Sequence, residues 1–277
     1  MSKKIVYLGP TKSYSELAAS SFANKGDILI SSPSFLDVLD AVKNGEADLA
    51  VVPVENSIEG IVNEVTDGLI FTMGESGIAA NLYINFEFYV TINNYLISKK
   101  GCDFSKIKTV VSHWQPYGQC RHTLKRFLPN ARIIYADSTS NALAGIKDKT
   151  VASIGGLQLV EGDLIASDVC INDAPNNITR FVVLSKDNVI CDKNSKITIA
   201  FEVQNKPGGL IEVLSILRDF DLNMTRLESR PHKSALGRYV FIADIVGNVK
   251  DIKIAEALKK IEDSTSFYKY LGGYSKL

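Results

Sequence analysis

Five short polar stretches of this chain carry residue types that can do chemistry. Gly9-Pro10-Thr11-Lys12-Ser13-Tyr14-Ser15-Glu16, Pro53-Val54-Glu55-Asn56-Ser57, Ser112-His113-Trp114-Gln115 and Asp137-Ser138-Thr139 each follow a run of β-branched residues. They offer hydroxyls, carboxamides and the N–H groups that open helices, a combination suited to an anion. Ser, Asp and Asn are also the commonest helix caps, so any one loop alone reads as local capping. Four of them at strand ends of one sheet system read as a binding cleft. The fifth stretch, residues 173–181, is turn-rich and ends in Asn177-Ile178-Thr179-Arg180-Phe181 at a strand entrance. It sets a hydroxyl beside a guanidinium, a bidentate carboxylate binder. No metal site is expected: Cys102, Cys120, Cys170 and Cys191 form no CxxC pair, and His113, His122 and His232 are the only histidines.

The elements that must position these loops follow from hydrophobic periodicity. Residues 4–8, 28–30 and 47–52 read as strands, residues 15–23 as a helix, and Ser34 as the cap of a helix running through Lys43. This β-α-β-α-β order implies a parallel sheet covered by helices. A second set follows, with strands at 87–92, 109–112, 132–136 and 151–154 and helices at 117–127 and 140–147. Two α/β lobes in series are the simplest packing, with the ligand crevice between them, outside the carboxyl ends of the strands. A strand at 181–184 precedes a polar stretch without periodicity at 187–195, which reads as an interdomain linker. The last 80 residues have another rhythm, with strands at 196–203, 224–229, 238–245 and 267–271 and helices at 210–220 and 252–261. That is βαββαβ, the ferredoxin-like α+β arrangement. Small sheets of this kind pair their free edges, so a homodimer or homotetramer is expected.

Composition bounds the class. The chain has 277 residues, 45% hydrophobic and 22% charged, with 31 Lys+Arg against 31 Asp+Glu. At roughly 100–200 residues per domain two domains fit, expected at 3–184 and 197–274. Balanced charge argues against a nucleic-acid partner and gives no reason for a membrane-surface one. From Lys196 onward there are 13 basic and 10 acidic residues, against 18 and 21 before it, too small an asymmetry for a polyanionic partner. Met1-Ser2-Lys3-Lys4 is followed by only four apolar residues before Gly9, short of the roughly 7–15 of a secretory signal. No run approaches the roughly 18 apolar residues of a membrane span. A cytoplasmic protein with reduced thiols is expected.

Taken in order, several stretches carry a resemblance. They are the Gly9–Glu16 loop, Val52-Pro53-Val54-Glu55-Asn56-Ser57, His113-x-Gln115 with Gln119-Cys120, Ser138-Thr139, and Asn177-x-Thr179-Arg180-Phe181. Pro207-Gly208-x-Leu210 and Leu227-Glu228-Ser229-Arg230-Pro231 follow. Over nearly its whole length the chain resembles prephenate dehydratase followed by an ACT regulatory domain. The resemblance implies conversion of prephenate to phenylpyruvate, water and CO2 on the route to phenylalanine, without a cofactor. It implies a two-lobed, periplasmic-binding-protein-like catalytic domain with the active site in the cleft. Thr179 would be the key catalytic residue, with Arg180 and Phe181 beside it, and Glu55, Asn56 and Gln119 would be further site positions. Ser13, Ser57, Ser138 and Thr139 would bind substrate. Phenylalanine would act as allosteric effector at a dimer interface, held by Gly208, Gly209, Leu210, Asn223, Glu228, Ser229 and Arg230.

The chain departs from the family at four places. Lys12 stands where Gly is usual, Ser138-Thr139-Ser140 replaces Ser-Thr-Ala, and Gly208-Gly209-Leu210 replaces Gly-Ala-Leu. The Tyr-Gly-Leu that precedes the Thr-Arg-Phe motif is missing, with Gly162-Asp163-Leu164 nearest. The first and last of these bear on cleft shape more than on reaction type.

Prephenate carries two carboxylates and a ring hydroxyl. Loss of the ring carboxylate pushes electrons towards expulsion of that hydroxyl, a poor leaving group that a proton donor would help. The residues then suggest roles. Arg180 and helix N-terminal amides would hold the carboxylates, and Thr179 would hydrogen-bond the departing hydroxyl. Glu55 is the alternative acid if burial raises its pKa, and a turn-capping carboxylate otherwise. Phe181 and Trp114 read as packing residues, His113 as structural or hydrogen-bonding, Cys120 as core. Two other readings stand beside this one: arogenate as substrate, and a non-enzymatic amino-acid sensor. With no helical stretch before Lys3, a fused chorismate mutase is not expected.

Overall fold

The structure is a computed structural model that describes residues 2–71, 82–189, 195–233 and 237–277. The chain opens with β1 (Lys4–Leu8), α1 (Tyr14–Phe22), β2 (Ile28–Ser32), α2 (Phe35–Lys43), β3 (Leu49–Asn56), the short β4 (Gly60–Ile61), α3 (Asn63–Phe71) and β5 (Tyr83–Thr91). It crosses to a second lobe of β6 (Tyr95–Lys99), β7 (Thr109–Ser112), α4 (Trp114–Phe127), β8 (Arg132–Tyr135), α5 (Thr139–Ala144), β9 (Val151–Gly155) and β10 (Leu164–Ala166). Strand β11 (Ile178–Ser185) then returns to the first lobe.

That return corrects the expectation of two lobes in series. The order β2-β1-β3 is parallel, as the β-α-β-α-β reading implies. Strand β11 enters beside β3 and pairs antiparallel with both β3 and β5. The first lobe is therefore built from two separated pieces of chain, and two crossovers join it to the second lobe. They are stitched by asparagines. Ile92 N–H donates to the Asn177 carbonyl at 2.8 Å, Asn172 Nδ2 to the Ile92 carbonyl at 2.6 Å, and Asn94 N–H to Asn172 Oδ1 at 2.9 Å.

Helix α3 was absent from the periodicity reading, and its composition explains why. It is short, and Thr66, Val65 and Gly68 are weak helix formers. Packing supplies what propensity lacks: a Cβ at Gly68 would lie 2.2 Å from Leu39 Cδ1, so the glycine lets α3 approach α2 without displacing the buried Leu39 side chain.

The last domain runs β12 (Lys196–Glu202), α6 (Gly209–Asp219), β13 (Met224–Pro231), β14 (Tyr239–Val246), α7 (Ile252–Ser264) and β15 (Phe267–Lys276). Its strand order β13-β14-β12-β15 is the ferredoxin-like one. The expected linker lies partly outside the described residues, at 190–194 with Cys191. Strand β15 runs five residues past the expected end at Leu271. Gly272-Gly273 reads as a breaker in sequence. In the fold, Gly272 has φ 130° and a Cβ there would meet the Ile84 carbonyl oxygen at 2.3 Å. The glycine lets β15 reach β5, pairing Ser275 with Phe86 and Lys276 with Glu87 in parallel. One ten-stranded sheet thus spans both domains. Its core is shared: Leu82, Ile84, Val182 and Leu184 pack in one cluster with Ala200, Val240, Ile242, Leu271 and Tyr274.

Candidate active site

The register of β3 against β11 decides which predicted residues face the cleft. Thr179 lies opposite Asn56, and Arg180 opposite Glu55. Successive strand residues point to opposite faces. Thr179, Asn56 and Phe181 therefore line a cavity of about 470 Å³ between the lobes, and Arg180 does not.

On the cleft face the amides form a directed ring. Asn56 Oδ1 accepts the backbone N–H groups of Ile58 and Glu59 at 2.9 and 3.0 Å, which fixes the carboxamide orientation. Its Nδ2 then donates to Asn177 Oδ1 at 2.8 Å and to Thr179 Oγ1 at 2.9 Å. Asn177 Nδ2 donates to Gln119 Oε1 at 2.9 Å, as does Asn94 Nδ2 at 3.1 Å. Gln119 Nε2 is thereby left to donate to Glu59 Oε1 at 2.5 Å, and Gln115 Nε2 donates to the other Glu59 oxygen. The ring ends on a carboxylate, the strongest acceptor present. It joins first-lobe residues to helix α4 of the second lobe. Asn177 and Thr179 are buried, 0% and 8% exposed, and every donor direction in the ring is determined. Thr179 Oγ1 accepts from Asn56 and, among the described residues, gives no hydrogen bond of its own. Its proton is free to point into the cavity.

Glu59 and Asn94 are site residues that the loop-by-loop reading did not single out, and Asn177 is one to which the reading of its motif gave no role of its own. The signal for Glu59 was its place three residues after Asn56, where an Asx-type turn folds it back. The signal for Asn94 and Asn177 was the concentration of asparagine at the two crossovers.

Other predicted residues serve local structure. The Ser13 hydroxyl caps α1 through Glu16 N–H at 3.2 Å, and the Ser138 hydroxyl caps α5 through Asn141 N–H at 3.1 Å. Ser57 pins the approach to β11, donating to the Asn176 carbonyl at 2.8 Å and accepting from Ile178 N–H at 3.0 Å. Of the four expected substrate-binding positions only Thr139 lines the main cavity. His113 caps α4 by accepting Gln115 N–H at Nδ1 and borders the cavity. Trp114 stands 65% exposed, outside it. Phe181 is buried and stacks on Phe88 at 5.9 Å. Cys120 is on the buried face of α4, and burial pushes its thiol pKa up.

Arg180 is the main correction. It was expected to hold substrate carboxylates. Its Nε donates to Glu87 at 2.6 Å, Nη1 to Asp244 at 2.5 Å and Nη2 to the Tyr274 hydroxyl at 2.6 Å, all on the face away from the cleft. Burial alone would lower its pKa, but Tyr274, Asp244 and Glu87 outweigh that and raise it. Glu55 is corrected with it. The same alternation turns it towards Arg180 Nη1, 3.7 Å away, and it lines no part of the cavity.

The main cavity is lined by no lysine or arginine among the described residues. Next to it lies an annex of about 140 Å³ that shares Tyr14, Asn94, Pro116 and Thr139. Lys12 borders the annex, with φ 62°, and its ammonium pairs with Glu161 of the second lobe. Among the described residues no cluster of His, Cys, Asp and Glu could hold a metal, and no helix is long and apolar enough to cross a membrane.

In the C-terminal domain Gly208, Gly209 and Leu210 line a cavity of about 510 Å³, beside the Arg238–Glu202 pair at 2.6 Å. Asn223 lies at the opposite end of this sheet, where its carbonyl accepts Val246 N–H at 2.8 Å. The structure separates these expected effector residues within one chain. Ser229 is exposed and Glu228 half-buried on edge strand β13. Arg230 is committed elsewhere: Nε donates to Asp67 at 2.7 Å and Nη1 to Asn63 at 2.6 Å, both on α3. Asp67 raises its pKa.

Comparison with known proteins agrees with this architecture. The family model described as prephenate dehydratase matches residues 5–189, and the one described as ACT domain matches residues 197–263. A prephenate dehydratase of Methanocaldococcus jannaschii is 37% identical, the match covering 99% of this chain and 98% of that protein. A bifunctional chorismate mutase/prephenate dehydratase of Escherichia coli K12 is also 37% identical, over 99% of this chain and 71% of its own. The crystal structure of a prephenate dehydratase from Arthrobacter aurescens in complex with L-Phe superposes with a TM-score of 0.86 at 28% identity, covering 98% of this chain and 90% of that one. With its two-lobed cleft, its Asn177-x-Thr179-Arg180-Phe181 strand and an ACT domain behind it, this chain belongs to the prephenate dehydratase family.

Proposed function

We propose that the chain dehydrates and decarboxylates prephenate to phenylpyruvate, with Thr179 as hydrogen-bond donor to the departing hydroxyl, and that phenylalanine bound to the ACT domain inhibits it. The observation that carries the chemistry is the Asn56–Thr179 hydrogen bond. With Oγ1 already accepting from Asn56, the threonine proton is directed at whatever occupies the cavity. In the reaction the bond from the ring to its carboxylate breaks. Its electron pair enters the ring, the carbon–oxygen bond to the hydroxyl breaks, and the hydroxyl leaves as water after taking up a proton. Solvent supplies that proton overall. A threonine is too weak an acid to be its source, so Thr179 works by lowering charge on the leaving oxygen as it develops.

The carboxylates lack Arg180 and meet a different set of donors. The first turn of α1, at Tyr14 and Ser15, and the Gln115 and Gln119 carboxamides border the cavity, and Lys12 brings its ammonium to the annex. Thr139 contributes from the second lobe. Phe181 and Ile92 give the ring an apolar floor. No cofactor is required by a reaction that neither oxidises nor reduces its substrate.

The catalytic unit extends over residues 3–184 and the regulatory unit over 197–274. Phenylalanine occupies the Gly208–Leu210 turn of one protomer against Asn223, Glu228 and Ser229 of its partner in a homodimer or homotetramer, which accounts for their separation within one chain. The enzyme works in the cytoplasm. The deciding experiment is phenylpyruvate formation from prephenate by the full chain, with and without phenylalanine, and with arogenate in parallel. No turnover of either substrate overturns the reading. Turnover of arogenate alone changes the substrate and keeps the site.

A further inference from the structure

We propose that Asp244 and Tyr274, both in the ACT domain, are positioning residues for Thr179 that act through Arg180. Arg180 follows Thr179 directly on β11, and its three nitrogens are each held by a different strand: β5 through Glu87, β14 through Asp244 and β15 through Tyr274. Thr198 of β12 closes the group, donating to Asp244 Oδ1 at 2.7 Å with its oxygen 2.8 Å from the Tyr274 hydroxyl. Lys196 completes the charge balance with 2.8 Å contacts to both Glu87 oxygens. Two cations meet two buried carboxylates, Glu87 and Asp244, with the more exposed Glu55 3.7 Å from Arg180 Nη1. Arg180 is 5% exposed, Glu87 3%, and Asp244, Thr198 and Tyr274 0%.

Adhesion between the domains does not call for such a cluster. A continuous apolar core already joins them, and buried ion pairs contribute little net stability because both charges must be stripped of water. What a fully satisfied polar cluster does supply is a fixed geometry, since any displacement leaves a buried charge unpaired. Here the geometry is delivered to both strands of the site. Arg180 adjoins Thr179 on β11, and its Nη1 also faces Glu55, which adjoins Asn56 on β3. A shift of β14 or β15 is therefore felt at both ends of the Asn56–Thr179 hydrogen bond. A misplacement of about 1 Å at a reacting group can lower a rate on the order of a hundredfold.

The inference rests on the reading of the chain as a phenylalanine-regulated dehydratase. Its test uses the full chain carrying Tyr274→Phe, with Thr198→Val as a second variant. Each is checked for a wild-type circular dichroism spectrum and for phenylalanine binding by calorimetry. The expected result is a kcat lowered about fivefold or more with KM for prephenate within about twofold, as for an interaction felt only in the transition state. At phenylalanine concentrations shown to saturate binding, inhibition of the variants is expected to fall below half of the wild-type amplitude. Folded variants with wild-type kcat, or with lowered kcat and full inhibition, overturn the proposal. If Tyr274→Phe fails to fold, Thr198→Val decides by the same criteria. A wild-type chain that turns over prephenate and ignores phenylalanine overturns the regulatory reading instead, and the split between kcat and KM then decides the positioning role alone.

Discussion

Asn56 donates a 2.9 Å hydrogen bond to Thr179 across a directly opposed pair of β3 and β11 residues. Asn56 is itself oriented by two backbone N–H groups from the turn that follows it. The direction of the bond is thus determined by the main chain, and it leaves the threonine proton unspent.

Thr179→Val keeps the shape of the side chain and removes that proton. We expect kcat to fall by about 10²–10³, the usual contribution of one positioned hydrogen-bond donor to developing charge, with KM within about threefold. Steady-state phenylpyruvate formation measures both. Retention of more than about a tenth of wild-type kcat would show that the hydroxyl is not used.

Arg180→Lys keeps a charge but cannot reach Glu87, Asp244 and Tyr274 together. Leaving buried carboxylates without a partner typically destabilises by about 3–5 kcal/mol, and a partial replacement is expected to lose about 2–4 kcal/mol on that scale. Urea unfolding reads this directly. KM for prephenate is expected to change less than about threefold, because no guanidinium nitrogen is left for substrate. A tenfold rise in KM without loss of stability would restore Arg180 as a carboxylate ligand.

Lys12→Met tests the ammonium at the annex. The Lys12 and Glu161 side chains are 41% and 68% exposed, so their pairing is weak and readily exchanged. A substrate carboxylate that takes over the ammonium gains on the order of 1 kcal/mol, so KM is expected to rise about five- to tenfold with kcat within about threefold. The wild-type KM should also rise with salt, and the variant's should do so less. Equal KM values in the two proteins at low ionic strength would remove Lys12 from the site.

Lys269 gives the fold a pH dependence. It is 8% exposed on β15, donates to the Leu69 carbonyl of α3 at 2.8 Å, and burial, with Lys43 nearby, lowers its pKa from 10.5 to about 8. Below pH 8 the amine is charged in both states and the folded state bears the burial penalty. Between about pH 8 and 10.5 the unfolded chain binds more protons, so stability from this group rises with pH across that window. Wild type measured against Lys269→Met by urea unfolding should therefore gain on the order of 2–3 kcal/mol between pH 7 and pH 10.5. A flat difference would mean that the amine is solvated.

Much of the site was legible as types and spacing. Thr179, Asn56 and Gln119, named from their motifs, all border the cleft. The helix caps Ser13, Ser34, His113 and Ser138 mark where α1, α2, α4 and α5 begin, because capping is a contact between residues two or three apart. Helix α3 was illegible because its stability comes from the approach of Gly68 to α2. The end of β15 was illegible because Gly272-Gly273 looks like a stop until the backbone of β5 is beside it. The roles of Arg180 and Arg230 were misread for one reason: an arginine beside polar motif residues resembles an anion ligand until its partners from distant strands are in place.

The amino-acid sequence by itself determined the two-domain α/β and ferredoxin-like organisation, the family, and the residue types at the cleft, since these rest on local periodicity and on motif order. Only the tertiary structure decided which of two adjacent residues faces the cleft. Strand pairing brings Thr179 opposite Asn56 and Arg180 opposite Glu55. The pleat then sends the first pair into the cleft and the second towards the ACT domain, a choice set by register between segments more than a hundred residues apart.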